Sequence, residues 1–92
     1  MEGRVKEAIL NKIDETLSNV EEISGIVESL SQIPVKSKND LAFGIAIGRI
    51  YNSFHYQTRR ALNRNATQEE FRDFLDILSI RAPHIRKALK QQ

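Results

Sequence analysis

Cysteine and tryptophan are absent from this 92-residue chain. Without cysteine there is no disulfide framework, no thiol nucleophile and no thiolate-ligated zinc or iron–sulfur site. Histidine is nearly as scarce. His55 and His84 are the only two, no HExxH-type spacing links them, and a metal site is not expected; His55 reads as a packed ring on a helix flank. The four glycines never cluster into a phosphate-cradling loop, and no serine or threonine is marked as a nucleophile by an adjacent base. Neither an enzyme nor a cofactor is therefore expected.

Long apolar runs are missing as well. The stretch Leu41–Gly48 is closed by Arg49, far short of the roughly 20 residues that a membrane-spanning helix needs. From Met1 to Glu15, acids and bases are scattered among the apolar residues, unlike a secretory signal. The expectation is a cytoplasmic protein with no membrane partner.

What the chain does contain is enough to fold. Isoleucine, leucine, valine and phenylalanine make up 27 of the 92 residues, above the level of about one fifth below which charged chains tend to stay disordered. One domain spanning 1–92 is expected, and cores of this size are often extended by oligomerisation. The net charge of +2 conceals an uneven division, since residues 1–40 carry five Lys/Arg and eight Asp/Glu, whereas residues 41–92 carry nine and four. Such asymmetry suits an anionic partner, whether nucleic acid or an acidic protein, or mutual attraction of the two parts within a bundle or across a dimer.

Apolar residues recur with a helical period nearly everywhere, and no strand-like alternation bounded by turn residues occurs, so the fold is expected to be all-α. From Glu2 to about Gln32, Ile9, Ile13, Val20, Ile23, Val27 and Leu30 hold a heptad-like seam that Leu10, Leu17 and Ile26 widen. The spacing predicts one long helix, bent if anywhere near Ser24 and Gly25 and ended by Pro34. Ser37 with Asp40, or Asn39, caps a second helix running to about Leu62, whose main apolar face is Phe43, Ile47, Ile50, Tyr51, Phe54, Thr58 and Ala61. After a turn at Asn63–Ala66, Thr67 and Glu70 form a capping box for a third helix. Its stripe is Phe71, Phe74, Leu75 and Leu78. Pro83 is expected to kink this helix or to start a short fourth one seated by Ile85 and Leu89. The resulting expectation is a small antiparallel helical bundle of three long rods with the third broken at Pro83, a three- to four-helix bundle.

Two features of the second helix stand out as candidate sites. Gly44 and Gly48 lie one helical turn apart among other small residues, so another helix could approach closely there. Leu41 and Ile45 project away from the main apolar face, giving the start of this helix two apolar sides. Leu41, Ala42, Gly44, Ile45 and Gly48 are accordingly candidates for self-association as a homodimer, with a contact inside the chain as the alternative. Further along, Arg49, Asn52, Ser53, Tyr56, Arg60, Asn63 and Arg64 share one sector, with Arg59 beside it, and no acidic residue lies between Asp40 and Glu69. Guanidinium groups grip phosphates bidentately, so this stripe is a candidate contact for a nucleic-acid backbone. The competing reading is a solvated face favoured by the helix dipole. Glu69, Asp73 and Asp76 share a face of the third helix, which the dipole at a helix start favours without any bound cation. The leading functional expectation is a non-enzymatic, self-associating interaction or adaptor module; a phosphate-contacting nucleic-acid binder is the alternative.

Overall fold

A computed structural model of the chain describes residues 1–90. Four helices form a small all-helical bundle: α1 (Gly3–Ser18), α2 (Val20–Ser29), α3 (Lys38–Leu62) and α4 (Gln68–Lys90). Their boundaries follow local chemistry. The Ser37 hydroxyl accepts the Asp40 amide at 3.1 Å, and Asn63 ends α3 in the left-handed conformation, φ 55°, with its amide bonded to the Arg59 carbonyl. At the start of α4 the capping box is complete, since Thr67 Oγ1 accepts the Glu70 amide at 3.1 Å while the Glu70 carboxylate accepts the Thr67 amide at 2.9 Å.

Side-chain contacts set the register of three rods. The first rod is α1 followed by α2, and it runs antiparallel to α3, with Arg4 donating to the Ala61 carbonyl at one end and Lys38 beside Glu28 at the other. Helix α4 also runs antiparallel to α3, since Phe54 stacks on Phe74 with centroids 4.5 Å apart, and Arg86 reaches back to Asp40 at 2.6 Å. The first rod and α4 are therefore parallel, as Asp14 and Arg81 confirm with a 2.8 Å ion pair. Helix α3 is the central rod and packs against all three others. The bundle measures 41 × 22 × 19 Å.

The interruption expected in the third rod lies in the first. The chain leaves the helical conformation at Asn19, φ −121° and ψ 35°, between α1 and α2. Just before it, the Thr16 and Ser18 hydroxyls bond back to the Lys12 and Asp14 carbonyls, and the Asn19 amide bonds to Thr16 three residues earlier, tightening the last turn. Glu21 and Glu22 then favour a fresh start by standing in the first turn of α2. Gly25 lies inside α2 without breaking it.

Pro83 lies inside a continuous α4. Pro83 and Ser79, one turn earlier, are both exposed residues, so the missing backbone bond falls on the solvent side of the helix rather than against the core. Because the helix continues, Ile85 and Leu89 stay in line with Phe74 and are buried as expected.

The core also turns out rotated from the expected face of α3. Ala42, Ala46, Ile50 and Phe54 are buried, whereas Phe43 and Ile47 are half-buried and Tyr51 is exposed. In the first rod, Val5, Ile9, Ile13, Ile23 and Val27 carry the core, while Leu30 and Ile26 are exposed. Thr16, which interrupts the apolar seam, is buried with its hydroxyl satisfied on the Lys12 carbonyl.

Candidate binding surfaces

The self-association candidates separate by depth. Ala42 is buried against the rest of the chain and is withdrawn as a surface residue, because the core face of α3 runs through it and Ala46. Leu41 and Ile45 are half-buried and pack on the core. Gly44 and Gly48 are exposed, and a Cβ placed on either would meet no atom within 4 Å. The close approach of the first rod to α3 therefore runs over the alanines, and the glycine pair faces open space.

Leu41 links this ridge to a larger apolar surface. Together with Val27, Leu30, Ile33, Pro34 and Val35, and with Ser31 and Lys38 as its polar rim, it lines a hollow of about 180 Å³ at the α2–α3 end of the bundle. Leu30, Ile33 and Val35 are 36%, 57% and 44% exposed. The connector that should be polar is instead an apolar cap. Its signal was present in the sequence, as Ile33-Pro34-Val35 is an unusually greasy loop.

The basic stripe of α3 meets three different fates. Arg49, Asn52, Ser53 and Tyr56 line a polar groove of about 510 Å³, together with Gln57. The facing wall comes from α1, through Ala8, Asn11, Lys12 and Glu15. Arg59 and Arg60 stand exposed in the last turn of α3, away from the groove and favourably placed with the helix dipole. Arg64 lies past the helix and forms a bidentate pair with Glu70 at 2.8 and 3.1 Å. That pair, then the Thr67 amide, pushes the Glu70 carboxyl down to about 2.

Acidic residues of the first rod meet the stripe inside the chain. Arg49 Nη1 lies 3.4 Å from Glu22 Oε1, and its Nη2 lies 4.0 Å from Glu15 Oε1, while Glu15 also pairs with Lys12 at 3.2 Å. With Asp14–Arg81 and Asp40–Arg86, much of the charge asymmetry between the two parts of the chain is used between the rods. The Glu22 contact is not aligned as a hydrogen bond, however, and Nη1 is buried with no hydrogen-bond partner. Asn11, Lys12, Glu15 and Gln57 were not among the expected site residues, because nothing in a single sequence says which α1 face lies over the stripe.

The His55 ring packs edge-on against Tyr51 at 4.8 Å and beside Phe54 at 5.0 Å, as a packed aromatic would. Among the described residues, no three His, Asp or Glu side chains come close enough together to hold a metal ion, and no helix is long and apolar enough to cross a membrane. Comparisons of the chain with protein-family models, with curated proteins and with solved structures return no match.

Proposed function

We propose that this chain is a non-enzymatic interaction module that self-associates as a homodimer through the apolar cap and the adjoining glycine ridge of α3. The observation that carries this reading is the cap itself: Leu30, Ile33 and Val35 form an exposed apolar surface around the Leu41 hollow, continuous along α3 with Gly44 and Gly48. Apolar surface gathered at one end, rather than scattered singly, marks a place where something docks.

Size argues for a second copy that uses both features. The Cα trace of the bundle is only 22 × 19 Å across, so a two-fold contact confined to one end is small beside the roughly 800 Å² per partner of a standard interface. A contact extended along the open ridge covers more. It also accounts for two glycines in a helix interior, each costing about 1 kcal/mol against alanine, at positions where packing within the chain asks for no small residue. The nucleic-acid reading is weakened because Arg64 is taken up by Glu70 and Arg59 and Arg60 stand away from Arg49, so the stripe offers no continuous track for a phosphate backbone.

Light scattering behind a sizing column tests the proposal. A mass near twice the 10.6 kDa of the single chain is expected at concentrations of about 100 μM, and Ile33→Glu should return it to the monomer with its helix content unchanged. A monomer mass for the native chain at that concentration refutes the reading.

A further inference from the structure

We infer that the groove between α1 and α3 is a binding site for a small oxyanion, a phosphate or a carboxylate carried by a small molecule. Its volume of about 510 Å³ lies within the range of small-ligand sites. Its lining is dominated by hydrogen-bond donors: the Arg49 guanidinium, the Lys12 ammonium, the Asn11, Asn52 and Gln57 amides and the Ser53 and Tyr56 hydroxyls. Against these stands a single groove carboxylate, Glu15.

Two details point to an anion rather than to a polar seam filled by the protein itself. Arg49 Nη1 is buried and donates no hydrogen bond, although the side chain as a whole is only one quarter exposed. Glu22 Oε1 lies 3.4 Å from it but out of line, so this donor lacks a well-directed acceptor. Ser53 is 8% exposed and still lines the groove, so a hydroxyl stands in the wall beside that guanidinium. The carboxylates now nearest Arg49 hold it loosely: Glu15 is 51% and Glu22 63% exposed, and their contacts of 4.0 and 3.4 Å are longer than a charge-assisted hydrogen bond. An oxyanion in the groove meets the guanidinium at Nη2, where Glu15 stands no closer than 4.0 Å, while Lys12, whose side chain is 24% exposed, faces it from α1.

The size of the groove and the lone Glu15 favour a small molecule over a polymer. Arg59 and Arg60, which a nucleic-acid backbone would need to engage, lie outside it.

The test is an amide-resolved NMR titration of the full chain with inorganic phosphate and, in parallel, with acetate and a single-stranded oligonucleotide. Saturable shifts at Asn52, Ser53 and Gln57 with phosphate identify phosphate as the ligand chemistry, and the same shifts with acetate identify a carboxylate. The responding anion should bind at least about tenfold more weakly to Arg49→Met and to Ser53→Ala, each checked for native helix content, because both remove a groove donor. It should bind several-fold more tightly to Glu15→Gln, which removes the competing carboxylate; a purely structural role for Arg49 gives no such gain. The inference is overturned by the absence of saturable groove shifts up to about 50 mM of either anion. An unchanged response in both donor variants, or no strengthening in Glu15→Gln, overturns it equally. So does an oligonucleotide response centred on Arg59 and Arg60 with the groove silent.

Discussion

Replacing both Gly44 and Gly48 with alanine probes the open ridge most directly. Both glycines sit within the 25-residue helix α3, and an added methyl group at either meets nothing within 4 Å, so no steric cost offsets the gain in helix propensity. Each substitution restricts the unfolded chain and is worth about 1 kcal/mol, and with both methyl groups in open space the two should add to about 2 kcal/mol. For a domain of this size that is a rise in melting temperature of at least about 8 °C. The assay is thermal unfolding followed by circular dichroism, first at low micromolar concentration, where the single chain is measured. Repeating it at about 1 mM adds the contribution of association. If the ridge is the face against which a second copy rests, the gain shrinks at high concentration, because two methyl groups then hold the copies apart. A variant less stable than the native chain at low concentration would mean that the ridge is packed by the chain itself and would refute the geometry. An equal gain at both concentrations would remove the ridge from the interface.

Two further outcomes follow from local features. The Glu70 carboxyl is depressed from 4.5 to about 2, so its contribution to stability is fully present above pH 4.5 and is lost as the pH falls towards 2. With Arg64 about half exposed, screening reduces this to about 1 kcal/mol; Glu70→Gln should flatten that part of the urea-midpoint-versus-pH curve, and an unchanged slope refutes the assignment. Pro83→Ala should stabilise the chain by about 1 to 3 kcal/mol, since it restores an amide to the interior of α4 at an exposed position. A lower urea midpoint for this variant would show that the proline ring is doing something for packing that its exposure does not reveal.

The helix ends were legible in the sequence because they depend on neighbours within one turn. Ser37 with Asp40 and the Thr67–Glu70 box satisfy backbone groups with side chains three positions away, Asn63 closes α3 with its own amide on the Arg59 carbonyl, and all three are formed as their spacing implies. The position of the break in the first rod was not legible by the usual weights, which make Gly25 the weak point. The actual joint combines several modest preferences: Thr16 and Ser18 bonding backwards, then Glu21 and Glu22 placing negative charge in the first turn of α2. Pro83 was misjudged for the opposite reason, since its cost depends on whether the carbonyl one turn before it is wet, and that is a tertiary fact.

The candidate sites show the same division. Arg49, Asn52, Ser53 and Tyr56 share a groove because helical spacing alone aligns them. Whether acids or bases would face them depended on which side of α1 packs there, and this brought Lys12 and Glu15 together over Arg49. Likewise, small residues in α3 were visible, but only packing could decide that the alanines lie inward and the glycines outward.

The joint at Asn19 has a mechanical consequence. It isolates a ten-residue segment, α2, that is anchored by only two buried side chains, Ile23 and Val27, whereas α1 has four. A helix that short has little strength of its own, so α2 is the piece most easily lifted away while the rest of the molecule stays folded. The cap follows directly on this segment, so any lifting of α2 carries Leu30 and the connector with it and reshapes the hollow they line.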